Sequence, residues 1–297
     1  MLSDLQQIPL PYAIAISSII GLVVGSFLNV VIYRVPAMMF RSWEEECEEY
    51  IQSKHNKDQK TEAEPQKKEV FNLVLPASRC PNCNTGIKPW HNIPVISYVF
   101  LKGACAYCSK KISLRYPSIE ATTAILSGLL IALLGITPQA MLGLLLLWSL
   151  ICLTMIDIDH QLLPDSITLP LLWLGLIANL YGTYTSLNEA VIGAIAGYLS
   201  LWSVYWAFKL LTGKEGMGFG DFKLLAALGA WMGWQMLPLI IVLSSLVGTV
   251  CAVAGILIAG KDKAKPIPFG PYLAIAGLIA FLWGDAIVSW YLSSSGV

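Results

Sequence analysis

The sequence predicts an all-α polytopic membrane protein, with about eight transmembrane helices and a small cytoplasmic metal-binding module inserted after the first helix. Three observations carry that expectation: long apolar runs, scarce and segregated charge, and two Cys-x-x-Cys pairs in the one long polar stretch. Of the 297 residues, 56% are hydrophobic and 13% are charged, whereas soluble domains carry about 25% charged residues. Mean hydropathy is +0.65. This is the composition of a chain solvated mainly by lipid. Its net charge of zero gives no basis for nucleic-acid binding, and none is expected.

Apolar runs of about 20 residues match a bilayer core about 30 Å thick. They predict spans at 12–33, 117–135, 139–157, 166–184, 189–210, 223–236, 237–259 and 269–291. The sixth is short, and its break from the seventh rests on Gly233 and Pro238. A count of seven, or a re-entrant element, therefore stays open. The first run lacks a basic n-region, ends in Tyr33-Arg34 and shows no small-residue cleavage site, so it is expected to be retained as a span.

Lys and Arg favour the cytoplasmic side. Thirteen of the 19 basic residues lie from Arg34 to Arg115, and the others are Lys209, Lys214, Lys223, Lys261, Lys263 and Lys265. With the N-terminus outside and eight crossings, all of them fall in or beside cytoplasmic segments. The expected organisation is an N-terminal helix over 1–35, a cytoplasmic domain over 36–116 and a helix bundle over 117–297.

The cytoplasmic domain changes composition midway. Its first half carries Glu44-Glu45-Glu46-Cys47-Glu48-Glu49, then Lys54, Lys57, Lys60, Lys67 and Lys68, and reads as a solvated helix and linker. The second half carries Cys80-Pro81-Asn82-Cys83 and Cys105-Ala106-Tyr107-Cys108, with 21 residues between the pairs. Each pair can turn two thiolates toward one point, and four thiolates make a closed structural zinc site. A loop this small buries little core, so one zinc per chain would supply folding free energy that packing cannot. Disulfides or a redox pair compete with this reading, but the loop is assigned to a reducing compartment.

Acids in or beside a span are costly and ask for a reason. The third span ends in Asp157-Ile158-Asp159-His160, with Pro164-Asp165 following, and Gly216-Met217-Gly218-Phe219-Gly220-Asp221 opens the sixth. Both clusters come to the cytoplasmic side. Paired carboxylates in a low-dielectric site share a proton, so one serves as base and the other as acid. Peptide hydrolysis needs that pairing, because water must lose a proton while the scissile carbonyl gains one. Asp157, Asp159 and Asp165 compete for one role, and Asp157 is the deepest. Asp159 would point to another helix face, and Asp165 reads as the N-cap of the fourth span. Lys223 reads as an interfacial anchor. The glycines before Asp221 are expected to grant backbone access to an extended peptide and conformations closed to other residues.

At these residues the sequence resembles the type IV prepilin peptidases, a family of GxGD aspartyl membrane proteases. Gly218-Phe219-Gly220-Asp221 reproduces the GxGD motif, and Gly25-Ser26-Phe27-Leu28-Asn29-Val30-Val31-Ile32-Tyr33-Arg34 matches the family's opening span. The cysteine pairs match its zinc module, and Pro266-Ile267-Pro268-Phe269-Gly270-Pro271-Tyr272 matches its late motif. The resemblance implies catalysis by Asp157 and Asp221 and a bacterial inner-membrane location. It also implies cleavage of leaders from prepilins and type II secretion pseudopilins, then methylation of the new N-terminus with S-adenosylmethionine. Gly103 falls at a family position linked with methylation; by local chemistry it reads equally as a turn glycine before the second cysteine pair.

An ion-coupled transporter is the competing reading, since intramembrane acids flanked by glycines also mark ion pathways. Against it stand the lack of an internal repeat of spans and the position of the acids near one interface.

Overall fold

The computed structural model describes residues 8–55, 71–259 and 268–295. Lys57, Lys60, Lys67, Lys68, Lys261, Lys263 and Lys265, and Pro266-Ile267 of the late motif, lie outside the described residues. The described chain is helical and forms two compact units, Leu22–Thr122 and Met1–Gly21 with Thr123–Val297.

The helices are α1 (Leu10–His55), α2 (Ile96–Phe100), α3 (Arg115–Leu134), α4 (Pro138–His160), α5 (Asp165–Leu180), α6 (Leu187–Thr212), α7 (Phe219–Met232), α8 (Leu237–Ala259) and α9 (Gly270–Ser295). Apart from the five-residue α2, they fall where the apolar runs predict them. Among the described residues, six helical segments are long and apolar enough to cross a membrane, while α5 and α7 have only 16 and 14 residues. The predicted first span and the acidic run after it join in one 46-residue helix, α1, with Pro36 inside it.

In the larger unit α7 is the central element. Phe222, Leu224, Leu225, Ala227, Leu228, Ala230 and Trp231 are fully buried, so this helix is enclosed rather than amphipathic. Fourteen residues rise about 21 Å, less than a bilayer core of about 30 Å. The short sixth element is therefore a buried helix packed against α5, α6 and α9. Gly193 and Gly197 of α6 face Gly229 and Leu225 of α7, and a Cβ on Gly197 would lie 2.7 Å from the Leu225 carbonyl oxygen. Small residues at this spacing let two backbones touch.

The far end of α7 is tied down by Asn179, which is 1% exposed. Its Nδ2 donates to the carbonyls of Ala230 and Trp231 at 2.8 and 3.0 Å, and its Oδ1 accepts from the amides of Tyr184 and Thr185. Trp231 Nε1 in turn donates to the Leu171 carbonyl at 2.8 Å.

In the smaller unit the two cysteine pairs build two copies of one device, offset by 25 residues. Arg79 bridges Gly86 as Ala104 bridges Lys111. Asn84 and Ser109 both take left-handed backbone, with φ of 56° and 55°. The first knuckle closes with Cys80 N–H on the Thr85 carbonyl and Ile87 N–H on that of Ser78; the second closes with Cys105 N–H on Lys110 and Ile112 N–H on Gly103. The sequence shows little of this repeat, because outside the cysteines and the Ile87–Ile112 pair the matched positions of the two knuckles differ in side chain. Two buried charges brace the unit. Arg34 donates to the carbonyls of Asn72 and Pro76 at 2.8 and 2.6 Å, and Glu120 accepts from Val95 N–H at 2.7 Å.

Candidate active site

Asp157 lies in the last turn of α4, which ends at Gln161 in the left-handed region with its N–H on the Asp157 carbonyl. Of the three competing acids, only Asp157 is buried, at 5% exposure; Asp159 and Asp165 are exposed. Its Oδ2 accepts the Gly270 amide at 3.0 Å. A Cβ on Gly270 would stand 2.6 Å from that oxygen, so the late motif supplies a backbone donor where no side chain fits.

Asp221 is buried at 6% exposure in the first turn of α7, whose N-cap is Gly218. It lies within electrostatic reach of Asp157. The two carboxylates expected from the sequence are thus brought together from helices 64 positions apart in the chain.

Two local expectations are corrected. The N-cap of α5 is Pro164, and Asp165 is the first helical residue. Instead of capping, Asp165 receives the Lys223 ammonium at 2.7 Å on both carboxylate oxygens, so Lys223 is paired across helices. The glycines before Asp221 also work differently from the expectation, because none of Gly216, Gly218 and Gly220 adopts positive φ. Gly216 makes room for the Phe208 ring and Gly220 for Leu163, where a Cβ would lie 2.9 and 2.7 Å away; beside Gly218 only Asp221 Oδ2 comes near, at 3.8 Å. Close packing explains two of them, and open space at Gly218 suits an approaching chain.

In the smaller unit the sulfurs of Cys80, Cys83, Cys105 and Cys108 lie within 4.8 Å of one another and could hold a metal ion. None of the seven cysteines is in a disulfide. Hydrogen bonds from the Thr85 side chain and backbone push the Cys83 thiol down to about 6. The Tyr107 and Cys108 amides lower Cys105 as well. At Cys108 the Lys110 amide lowers the thiol, but burial and the neighbouring Cys105 and Cys83 outweigh it, so that thiol is raised. Gly103 stands at the mouth of the second knuckle with φ of +68°, and a Cβ there would meet the Tyr98 hydroxyl at 2.8 Å. Its left-handed backbone and the nearby Tyr98 both favour glycine.

Fold and site together define a multi-pass helical membrane protein with a buried pair of aspartates and a four-cysteine module. Residues 19–134 match the family model described as bacterial peptidase A24 N-terminal domain, and residues 144–253 match that of the type IV leader peptidase family. The chain is 53% identical, over its whole length and 99% of the relative, to a prepilin leader peptidase/N-methyltransferase of Pseudomonas aeruginosa. A protein of the same description from Aeromonas salmonicida is 55% identical over 92% of each chain. One from Neisseria gonorrhoeae is 48% identical over 98% of this chain and 99% of its own. No solved structure matches the chain. The chain belongs to the type IV leader peptidase family.

Proposed function

We propose that this protein removes the leader peptide from type IV prepilins and type II secretion pseudopilins, with Asp157 and Asp221 as its catalytic acids, and then methylates the new N-terminal residue. The observation that carries the peptidase reading is the burial of these two carboxylates, from α4 and α7, within electrostatic reach of each other. The ionised carboxylate of the pair takes a proton from water as it attacks the scissile carbonyl, and the protonated partner donates to the carbonyl oxygen. The Gly270 amide occupies one oxygen of Asp157 and leaves the other for water or substrate. Within 4 Å of the place a Cβ would take on Gly218, Asp221 Oδ2 is the one atom met, at 3.8 Å, which leaves this stretch of backbone open beside the acid. Family membership and the curated relatives favour this reading over the ion-coupled transporter.

The four sulfurs are proposed to hold one structural zinc. A tetrahedron with Zn–S of about 2.3 Å has sulfur-to-sulfur edges of about 3.8 Å, and Cys80 Sγ stands 3.8 Å from Cys108 Sγ. Four sulfurs fill the metal's positions, so Cys80, Cys83, Cys105 and Cys108 serve folding and leave the hydrolysis to the aspartates.

S-adenosylmethionine would be the methyl donor. Among the described residues no set of side chains marks its seat. Gly103, with Tyr98 against it, would influence methylation through the shape of the second knuckle. The expected setting is the bacterial inner membrane, N-terminus outside and residues 36–116 in the cytoplasm, so that prepilins present their basic leaders on the side where the charge distribution places both acids.

The test incubates purified full-length protein in detergent with a prepilin and analyses the product by mass. The expected result is release of the leader, and a gain of one methyl group on the mature N-terminus only when S-adenosylmethionine is present. An intact prepilin after prolonged incubation with folded, metal-loaded protein would overturn the peptidase reading.

A further inference from the structure

The short linker between α4 and α5 touches every segment that contributes to the aspartate pair. Leu163 packs where Gly220 and Gly270 lack side chains. Its Cβ would be 2.7 Å from a Cβ on Gly220, and its Cδ1 3.2 Å from one on Gly270. Gly220 precedes Asp221 directly, and Gly270 holds Asp157 through its amide. Two residues beyond Leu163, Asp165 takes both of its short contacts from Lys223, which lies two residues beyond Asp221. The contacts form a closed circuit: Asp157 to Gly270, Gly270 to Leu163, Leu163 to Gly220, and from Lys223 back through Asp165 to the chain that carries Asp157.

We propose that Leu163, Asp165 and Lys223 are positioning residues that set the start of α7, and with it Asp221, against the end of α4 and Asp157. This rests on the reading of Asp157 and Asp221 as the catalytic pair. Leu163 acts as a spacer between two glycines, and the Asp165–Lys223 pair acts as a clasp that stops α7 from turning or sliding along α5. The exposure of the clasp argues for this role over a purely stabilising one. The Asp165 and Lys223 side chains are 54% and 29% exposed, and ion pairs so placed add little to stability. A two-pronged contact beside a reacting group can still hold geometry, and misplacement of a reacting group by about 1 Å costs about 100-fold in rate.

The experiment is a double-mutant cycle on the full-length protein, with prepilin cleavage measured as kcat and KM and folding followed by thermal unfolding. Asp165→Asn and Lys223→Met are each expected to lower kcat about 10- to 100-fold, with KM and melting temperature close to those of the parent. The double variant is expected to be no slower than the worse single variant, because both changes open one clasp. Lys223→Arg, which keeps a two-pronged contact with a carboxylate, is expected to retain activity. Parental kcat in both single variants, or losses that multiply in the double variant, would overturn the proposal. So would losses that follow melting temperature in all variants. Asp157→Asn and Asp221→Asn run alongside: full cleavage in either would sink the catalytic assignment itself, an outcome separate from failure of the clasp.

Discussion

The Gly270 amide donates to Asp157 Oδ2 at 3.0 Å, and the glycine's missing side chain is what lets it approach. Residues 113 positions apart are thus joined by the late motif's backbone. Gly270→Ala would put a methyl group 2.6 Å from the carboxylate oxygen. The expected result is a fall of about 100-fold in kcat for leader removal, with the metal content of the four-cysteine module unchanged. Single-turnover cleavage by the purified variant measures it.

Gly220→Ala brings a Cβ within 2.7 Å of Leu163 Cβ. Neither atom is the end of a flexible chain, so the start of α7 must move and carry Asp221 with it. Cleavage is expected to fall by at least 10-fold. Gly218→Ala, whose Cβ has only Asp221 Oδ2 near it at 3.8 Å, is expected to leave the start of α7 in place and to act on substrate access. The comparison of KM between the two variants separates packing from access, with a rise confined to Gly218→Ala expected.

The α6–α7 crossing depends on Gly193 and Gly229, each of which fills the space where the other's Cβ would be. Gly229→Val should lower stability by about 1–3 kcal/mol through overpacking. Thermal unfolding in detergent reports it as a lowered midpoint.

Metal analysis of the purified protein is expected to give one zinc per chain. Cys80→Ser with Cys105→Ser should abolish it, because each knuckle then keeps a single thiolate. Retention of metal in that variant would refute the site.

In the metal-free protein, Cys83 should react first with an alkylating agent. Its thiol is lowered to about 6, so the reactive thiolate is present above that pH and is lost as pH falls through it. Peptide mapping after alkylation from pH 5 to 8 should show Cys83 modification rising with a midpoint near 6, below that of Cys108, whose thiol is raised. Zinc should protect all four cysteines.

Much of this was legible in the sequence because the signals were compositional or local. Apolar length marked the helices, and Cys-x-x-Cys spacing marked a cluster that the fold closes to within 4.8 Å. The burial of Asp157, unlike that of Asp159 and Asp165, follows its position directly behind the apolar run. What sequence could not show depends on tertiary packing. Asp165 looked like a helix cap because caps are read from local order, whereas its partner Lys223 lies 58 residues away. The glycines before Asp221 looked like sources of backbone freedom, but Phe208 and Leu163 account for two of them by contact. The burial of Arg34 and Glu120 has no sequence signal, because their partners are backbone carbonyls and an amide that carry no side-chain signature.

The most direct test of the central claim measures prepilin leader removal by Asp157→Asn and Asp221→Asn, each purified, folded by thermal unfolding and loaded with metal. Both variants are expected to leave the prepilin uncut, since neither carboxylate can do the work of the pair alone. Cleavage at the parental rate by either variant would contradict the account.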